Sequence, residues 1–95
     1  MITEPGPDFH VRIRFEPLVA RNVAEVAWHK TQECQFREDG RMDYSVTVSG
    51  LNEISWWVLG YGDQAEVLEP AQLRNLVRQR AARLLERYDN HDNHS

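Results

Sequence analysis

The stretch Leu51 to Pro70 constrains the fold most, because it contains the signals for a helix, a turn, a strand and a second helix in that order. Apolar residues in its first part recur at the spacing of a short amphipathic helix, namely Leu51, Ile54, Val58 and Tyr61. Gly60 or Gly62 should end this helix, since glycine adopts the left-handed conformation without a Cβ penalty. The run Ala65 to Leu68 is too short and too β-friendly to continue the helix, so it predicts a buried strand. Pro70 is then well placed to open the next helix.

The residues before this stretch predict a strand, a helix and a hairpin. Residues 9–15 alternate between apolar and polar side chains, which is typical of a strand with one face in water. Pro17 starts an amphipathic helix that we expect to end near residue 28. Residues 31–37 and 42–49 are strand patterns, and the Asp39-Gly40 pair between them favours an antiparallel hairpin.

A last helix is predicted after Pro70, because apolar residues recur at helical spacing as far as Tyr88. We expect it to dock on the domain through Leu73, Leu76, Val77, Leu84 and Tyr88. The order of the first six elements predicts an α+β, ferredoxin-like βαββαβ fold. Its four-stranded antiparallel sheet carries both helices on one face, and the C-terminal helix is added to it. The expected organisation is a flexible lead-in at 1–8, one domain at 9–88 and a disordered polar tail at 89–95.

The sheet face that carries no helix should be polar. If the apolar sides of the strands face the helices, this open sheet face shows Arg12, Arg14, Ser45, Thr47, Glu33 and Gln35. Two arginines on a rigid strand suit carboxylate or phosphate groups, so the open sheet face is a candidate surface for a partner domain or an anionic effector. The alternative is an ordinary solvated sheet face on which nearby acids pair with the arginines, namely Glu16, Glu33 or Glu66.

The pair Trp56-Trp57 should divide between core and surface, because neighbours on a helix point about 100° apart. Trp57 is expected to face inward. Trp56 is offset from the apolar stripe, so we expect it to be partly exposed and to be a candidate contact with a partner subunit or domain.

Composition limits the classes of function. A chain of 95 residues with 41% hydrophobic content suits one small domain. It shows no membrane-span or signal-peptide pattern, so we expect a cytoplasmic protein that does not contact a membrane. The net charge of −4 argues against binding nucleic acid by general phosphate attraction. The charge is uneven, however, because residues 70–88 carry five arginines and one glutamate.

No set of residues predicts an enzyme, a metal site or a cofactor. His91 and His94 lie in the polar tail without further ligands nearby. Cys34 lies on an alternating strand with its side chain toward the predicted core, and we expect a packed thiol rather than a nucleophile. His29 and Gln32, at the turn between the first helix and the second strand, either contact a ligand or stabilise the turn by hydrogen bonds.

Six short motifs follow one another from residue 15 to residue 74. They are Phe15-Glu16-Pro17, Trp28-His29 with Gln32, Asp39-Gly40, Trp57-Val58-Leu59-Gly60 with Gly62, Val67-Leu68-Glu69-Pro70, and Leu73-Arg74. Their order and spacing resemble the C-terminal extension, called WCX, of bacterial transcriptional regulators that contain a WYL domain. The resemblance covers nearly all of residues 9–88.

The resemblance implies a regulator built from a DNA-binding winged helix, a WYL domain that senses a ligand, and a WCX extension that contacts the WYL domain and helps to form a homodimer. The 95 residues contain neither a winged helix nor the Trp-Tyr-Leu run, so no DNA-binding or WYL ligand residue is transferred. We therefore expect a regulatory, dimerisation and effector-response domain, with DNA bound only through a winged helix.

The alternative function is a stand-alone module that binds a nucleotide or single-stranded nucleic acid on the open sheet face. On either interpretation, the residues expected to bind a ligand or partner are Arg12, Arg14, His29, Gln32, Thr47 and Trp56. Salt-dependent binding of oligonucleotides by the isolated domain would favour the nucleic-acid module over the regulatory domain.

Overall fold

The computed structural model describes residues 8–26 and 28–92, with side chains as far as Asp89. Its elements are β1 (Phe9–Phe15), α1 (Pro17–Glu25), β2 (Glu33–Phe36), β3 (Met42–Val48), α2 (Asn52–Leu59), β4 (Ala65–Glu69) and α3 (Ala71–Asp92), with a short 3-10 turn at Gly62–Gln64 before β4. The four strands form one antiparallel sheet in the order β2-β3-β1-β4. The predicted ferredoxin-like α+β fold with a C-terminal helix is therefore confirmed. None of the described helices is long and apolar enough to cross a membrane.

The register of the central strands places the core on one face of the sheet. β1 lies between β3 and β4, with Ile13 opposite Tyr44 and Phe15 opposite Met42. All four side chains are fully buried. For Ile13 and Phe15, the alternation along β1 predicted this burial. The two helices that cover this face contribute the buried side chains of Ala20, Val23, Ile54 and Val58.

An aromatic cluster joins the sheet to α2. The ring of Phe15 makes edge contacts with Tyr44, Trp57 and Tyr61 at centroid distances of 5.9, 5.7 and 5.3 Å. Trp28 stacks on Trp57 at 5.0 Å with 17° between the two rings. Each such contact contributes about 0.5–1.5 kcal/mol beyond the burial of area. The prediction that Trp57 faces inward is confirmed, because it packs against the core at the centre of this cluster.

Two glycines adopt positive φ angles at turns that the sequence predicted. Gly40 has a φ of 91° in the β2–β3 hairpin, and Gly62 has a φ of 61° after α2. Gly60 itself remains right-handed at −64°, so α2 ends at Leu59 and the left-handed residue follows within the turn. A side chain at Gly40 or Gly62 would therefore be strained, whatever space surrounds it.

The last helix differs from the prediction in its length. α3 continues to Asp92, so the expected disordered tail is wrong for residues 89–92, while 93–95 lie outside the described residues. No glycine or proline interrupts this segment, and extending a helix that has already formed fixes only one more residue for each added hydrogen bond.

The docking of α3 also differs from the prediction. Leu73 is fully buried, but Leu84 and Tyr88 are exposed. A helix of 22 residues is about 33 Å long, so its second half extends past the small sheet, and residues 81–89 are all exposed. Only the first part of α3 belongs to the core, and the expected docking through Leu84 and Tyr88 is wrong.

Two further expectations need correction. Cys34 is exposed rather than packed in the core, because β2 is an edge strand whose four residues are all exposed. Partial desolvation still raises the pKa of its thiol, which opposes thiolate formation. The first helix ends at Glu25, before the predicted residue 28. Of the predicted lead-in at 1–8, residues 1–7 lie outside the described residues.

Candidate binding surfaces

The open sheet face brings Arg12 and Arg14 next to an acid that the sequence analysis did not single out. In the β1–β3 register, Arg12 is opposite Ser45 and Arg14 is opposite Asp43. Asp43 shares its face with Ser45 and Thr47, because side chains alternate along β3. The alternation that predicted the positions of Ser45 and Thr47 was therefore sufficient to find Asp43.

Asp43 is the centre of an ion-pair network. Arg14 donates to it from Nε at 2.9 Å and from Nη2 at 3.4 Å, and Arg37 Nη1 donates at 3.0 Å. Arg12 Nη2 is 4.0 Å from Asp43 Oδ2. The Arg14 hydrogen bond holds the pKa of Asp43 below its ordinary value, and Arg37 lowers it further while burial opposes both. Since Asp43 is only 8% exposed, this carboxylate is a structural partner of the arginines.

Arg12 is more available to a ligand than Arg14. Its Nη1 lies 3.3 Å from Glu69 Oε2, and 40% of its side chain is exposed. The β1–β4 register shifts between Arg12 and Ile13, which places Glu69 opposite Arg12. An exposed pair of this kind contributes about 0–1 kcal/mol, so Glu69 holds Arg12 only weakly.

The acids that pair with the arginines differ from those suggested by the sequence, which were Glu16, Glu33 and Glu66. The observed partners are Asp43 and Glu69, because the strand register decides which side chains are opposite one another. Glu66 lies opposite Arg14, but the hydrogen bond with Asp43 is the main cause of the raised pKa of that arginine, and Glu66 adds only a weaker coulombic effect. With Arg12, Arg14 and Arg37 against Asp43 and Glu69, three positive and two negative charges leave the network at +1. Across residues 8–26 and 28–92, no group of three His, Cys, Asp or Glu residues is placed to hold a metal ion.

Thr47 and His29 are connected through Thr31, which the sequence analysis missed. The backbone N–H of Thr47 donates to Thr31 Oγ1 at 3.0 Å, and this hydroxyl donates to the Thr47 carbonyl at 3.2 Å. His29 Nδ1 accepts the backbone N–H of Thr31 at 3.1 Å. The contacts of Thr47 in this chain involve its backbone, so a role of its hydroxyl in ligand binding stays a prediction.

Gln32 holds the turn between α1 and β2. Its Oε1 accepts hydrogen bonds from the backbone N–H groups of Trp28 at 2.8 Å and His29 at 3.0 Å and from the Tyr44 hydroxyl at 2.9 Å. Its Nε2 donates to the Val26 carbonyl at 3.0 Å. Of the two uses that the sequence left open, the structure shows the stabilisation of the turn.

A groove of about 270 Å³ adjoins this turn, with Trp28, His29 and Glu53 in its lining. His29 therefore faces a space that a small ligand can enter, whereas Gln32 is not part of that lining. Ligand binding by His29 stays a prediction, and for Gln32 the hydrogen bonds of the turn leave little capacity for another partner.

Trp56 lies on a different surface, formed by α2 and α3. Its predicted partial exposure is confirmed, because 55% of the residue is exposed. The guanidinium of Arg80 lies 3.9 Å from the centre of its ring. Arg80 also donates to Asn52 Oδ1 at 2.9 Å and to Ser55 Oγ, which pins α3 to α2. Arg80 was not predicted from the sequence. Its contacts join two helices, and the spacing within each helix does not indicate which arginine of α3 meets which residue of α2.

Comparison with protein families decides the relationship that the motifs suggested. The family model described as WCX domain matches residues 7–85, most of the chain. The chain belongs to the WCX domain family. No curated protein matches it. In this WCX domain the matched range includes the ion-pair network, the turn at Gln32 and the contact between Trp56 and Arg80, and it ends before Tyr88.

The six predicted binding residues of the WCX domain fall in three places. Arg12 and Arg14 belong to the network on the open sheet face. His29, Gln32 and Thr47 cluster at the turn before β2 and the end of β3. Trp56 belongs to the α2–α3 surface. The domain therefore has separate candidate surfaces rather than one convergent site.

Proposed function

We propose that this WCX domain is the regulatory and assembly module of a transcriptional regulator that also carries a WYL domain and a DNA-binding winged helix. The family match over residues 7–85 carries the proposal, since the WCX family is associated with WYL regulators. In this proposal the WCX domain catalyses no reaction and contacts a WYL domain of its own or the partner subunit. The regulator is a cytoplasmic homodimer and binds DNA through the winged helix.

Within this role, we propose the open sheet face as the surface that responds to an anionic effector or a partner domain. Asp43 holds Arg14 and Arg37 in fixed orientations, which gives the face preorganised donors. Arg12 is the arginine that can exchange its partner, because Glu69 holds it only through an exposed contact. An incoming carboxylate or phosphate thus competes with Glu69 for Arg12.

The test replaces Arg12 with Gln in the gene that encodes this chain and measures transcription by RNA sequencing, beside a deletion of the gene. We expect the deletion to change a set of transcripts and Arg12→Gln to change a large part of the same set. Arg14 is unsuitable for this test, because its loss removes the main partner of Asp43 and confuses stability with function. Arg21→Gln is a matched control, since Arg21 is exposed on α1, away from the sheet face.

Three outcomes contradict parts of the proposal. A deletion that leaves transcription unchanged removes the regulatory role. A response to Arg12→Gln no larger than the response to Arg21→Gln removes the sheet face as the responsive surface. Tight binding of oligonucleotides by the isolated domain, falling steeply with salt and lost in Arg12→Gln, favours the alternative module for single-stranded nucleic acid.

A further inference from the structure

A second surface lies between α2 and the exposed half of α3. It is a groove of about 300 Å³, which we call the α2–α3 groove, lined by Trp56, Leu59, Arg80, Arg83, Leu84 and Arg87. It is separate from the ion-pair network of the open sheet face, with which it shares no residue.

The groove exposes large apolar side chains. Leu84 is 45% exposed, Trp56 is more than half exposed, and Tyr88 follows one turn after Leu84 on the same side of α3 with 65% exposure. Single exposed apolar residues are ordinary, but a contiguous set beside a groove marks an interaction surface.

The charges of the groove are all of one sign. Arg80 is already bound to α2, where it covers Trp56 and donates to Asn52. Arg83 and Arg87 have no ion pair or hydrogen bond with the side chains that the structure describes. No acidic residue is part of the lining, so the formal charge of the groove is three positive units.

We propose that the α2–α3 groove binds an acidic amphipathic helix supplied by another polypeptide or domain. Apolar side chains of that helix pack on Leu84 and Trp56, in the manner of an amphipathic helix in a hydrophobic groove. Arg83 and Arg87 are one helical turn apart, so glutamates four residues apart on an antiparallel partner helix reach both. This proposal rests on the side chains of the groove and not on the proposed regulatory role.

Two other occupants fit the groove less well. A second copy docked symmetrically brings Arg83 and Arg87 close to their equivalents, and like charges facing one another oppose association. Single-stranded nucleic acid needs free aromatic faces for its bases, but Arg80 covers one face of Trp56 and the leucines offer no stacking surface. The net charge of −4 also argues against binding a polyanion by general phosphate attraction.

The experiment uses the 95-residue chain and three labelled peptides, with binding measured by fluorescence anisotropy at low and high salt. The first peptide is a designed amphipathic helix with leucines on one face and glutamates beside them. The second has lysine at every glutamate position, and the third is a scrambled form of the first. We expect the acidic amphipathic peptide to bind about tenfold or more tightly than either of the others, and its affinity to fall with salt.

Charge reversal tests whether binding occurs at this groove. The variant Arg83→Glu/Arg87→Glu should lose about tenfold or more in affinity for the acidic peptide and gain affinity for the lysine peptide. Arg21→Glu/Arg78→Glu is the matched control, because it makes the same change of charge at exposed positions outside the groove and should preserve the preference for the acidic peptide. Circular dichroism confirms that both variants are folded.

Each of three results overturns the proposal. The first is that the parent chain binds the acidic and lysine peptides equally tightly, or that the control variant reverses its preference between them as strongly as Arg83→Glu/Arg87→Glu does. The second is a dimer of the chain, seen by analytical ultracentrifugation, that Trp56→Ala dissociates, because the occupant is then a second copy. The third is displacement of the acidic peptide by oligothymidine at lower concentration, which assigns the groove to nucleic acid. None of these results depends on transcription, so the proposed regulatory role can fail or stand separately.

Discussion

Gln32 is a half-buried polar residue, and its replacement with Ala should destabilise the domain strongly. The substitution removes the acceptor for the N–H groups of Trp28 and His29 and the Tyr44 hydroxyl, and the donor to the Val26 carbonyl. Each of these bonds contributes about 0.5–1.5 kcal/mol, and an orphaned buried hydroxyl costs about 1–3 kcal/mol. Tyr44 is fully buried, whereas water reaches the other freed groups more easily. We therefore expect the free energy of unfolding to fall by about 2–4 kcal/mol.

The measurement is urea unfolding followed by tryptophan fluorescence, arranged as a double-mutant cycle with Tyr44→Phe. Tyr44→Phe alone should cost about 0.5–1.5 kcal/mol. The double variant should cost less than the sum, because it has no orphaned hydroxyl. Gln35→Ala, at an exposed position of β2, is the control and should lie within about 0.5 kcal/mol of the parent. The role assigned to Gln32 is contradicted if Gln32→Ala is as stable as this control. It is also contradicted if the losses of stability in Gln32→Ala and Tyr44→Phe add up to the loss in the double variant.

Three further predictions concern stability. Asp43→Asn should be less stable than the parent at neutral pH, and the difference should shrink below about pH 4, measured by chemical unfolding across pH. The direction of this pH dependence follows from the lowered pKa of Asp43 in the folded domain. The ionised carboxylate stabilises the fold above the ordinary pKa of aspartate, and this stabilisation is lost as the pH falls through the pKa of Asp43 in the folded state. Leu73→Ala should cost about 2–5 kcal/mol because the side chain is fully buried, and equal stability to the exposed control Leu85→Ala contradicts that packing. A chain ending at Tyr88 should keep its melting temperature, whereas a chain ending at Glu69 should unfold. A stable chain ending at Glu69 would show that the fold does not need α3.

Most of the fold was predictable because its signals are local. The alternation of residues 9–15 indicated a strand with one buried face, and Val11, Ile13 and Phe15 are all fully buried. The glycine turn at 60–62 and the Asp39-Gly40 pair marked the connections where φ becomes positive. These signals are properties of neighbouring residues, so they needed no knowledge of the tertiary structure.

The candidate sites were predictable only in part. Alternation placed Arg12 and Arg14 on the open sheet face, but it did not show that Asp43 and Glu69 hold them. Helical offset predicted that Trp56 is exposed, but the arginine that covers it comes from α3. In both cases the missing information was the identity of a partner far away in the chain.

The sequence by itself determined the type and order of the elements, the buried face of the central strands and the membership of the WCX family, because each depends on spacing along the chain. Tertiary structure decided which charges pair, that Cys34 lies on an uncovered edge strand, and that Leu84 and Tyr88 remain outside the core. The physical reason is that burial depends on the area available to cover a side chain. The first part of α3 packs on β4 and α2, whereas nothing in the described part of the chain covers residues 81–89 of that helix, whatever their apolar periodicity.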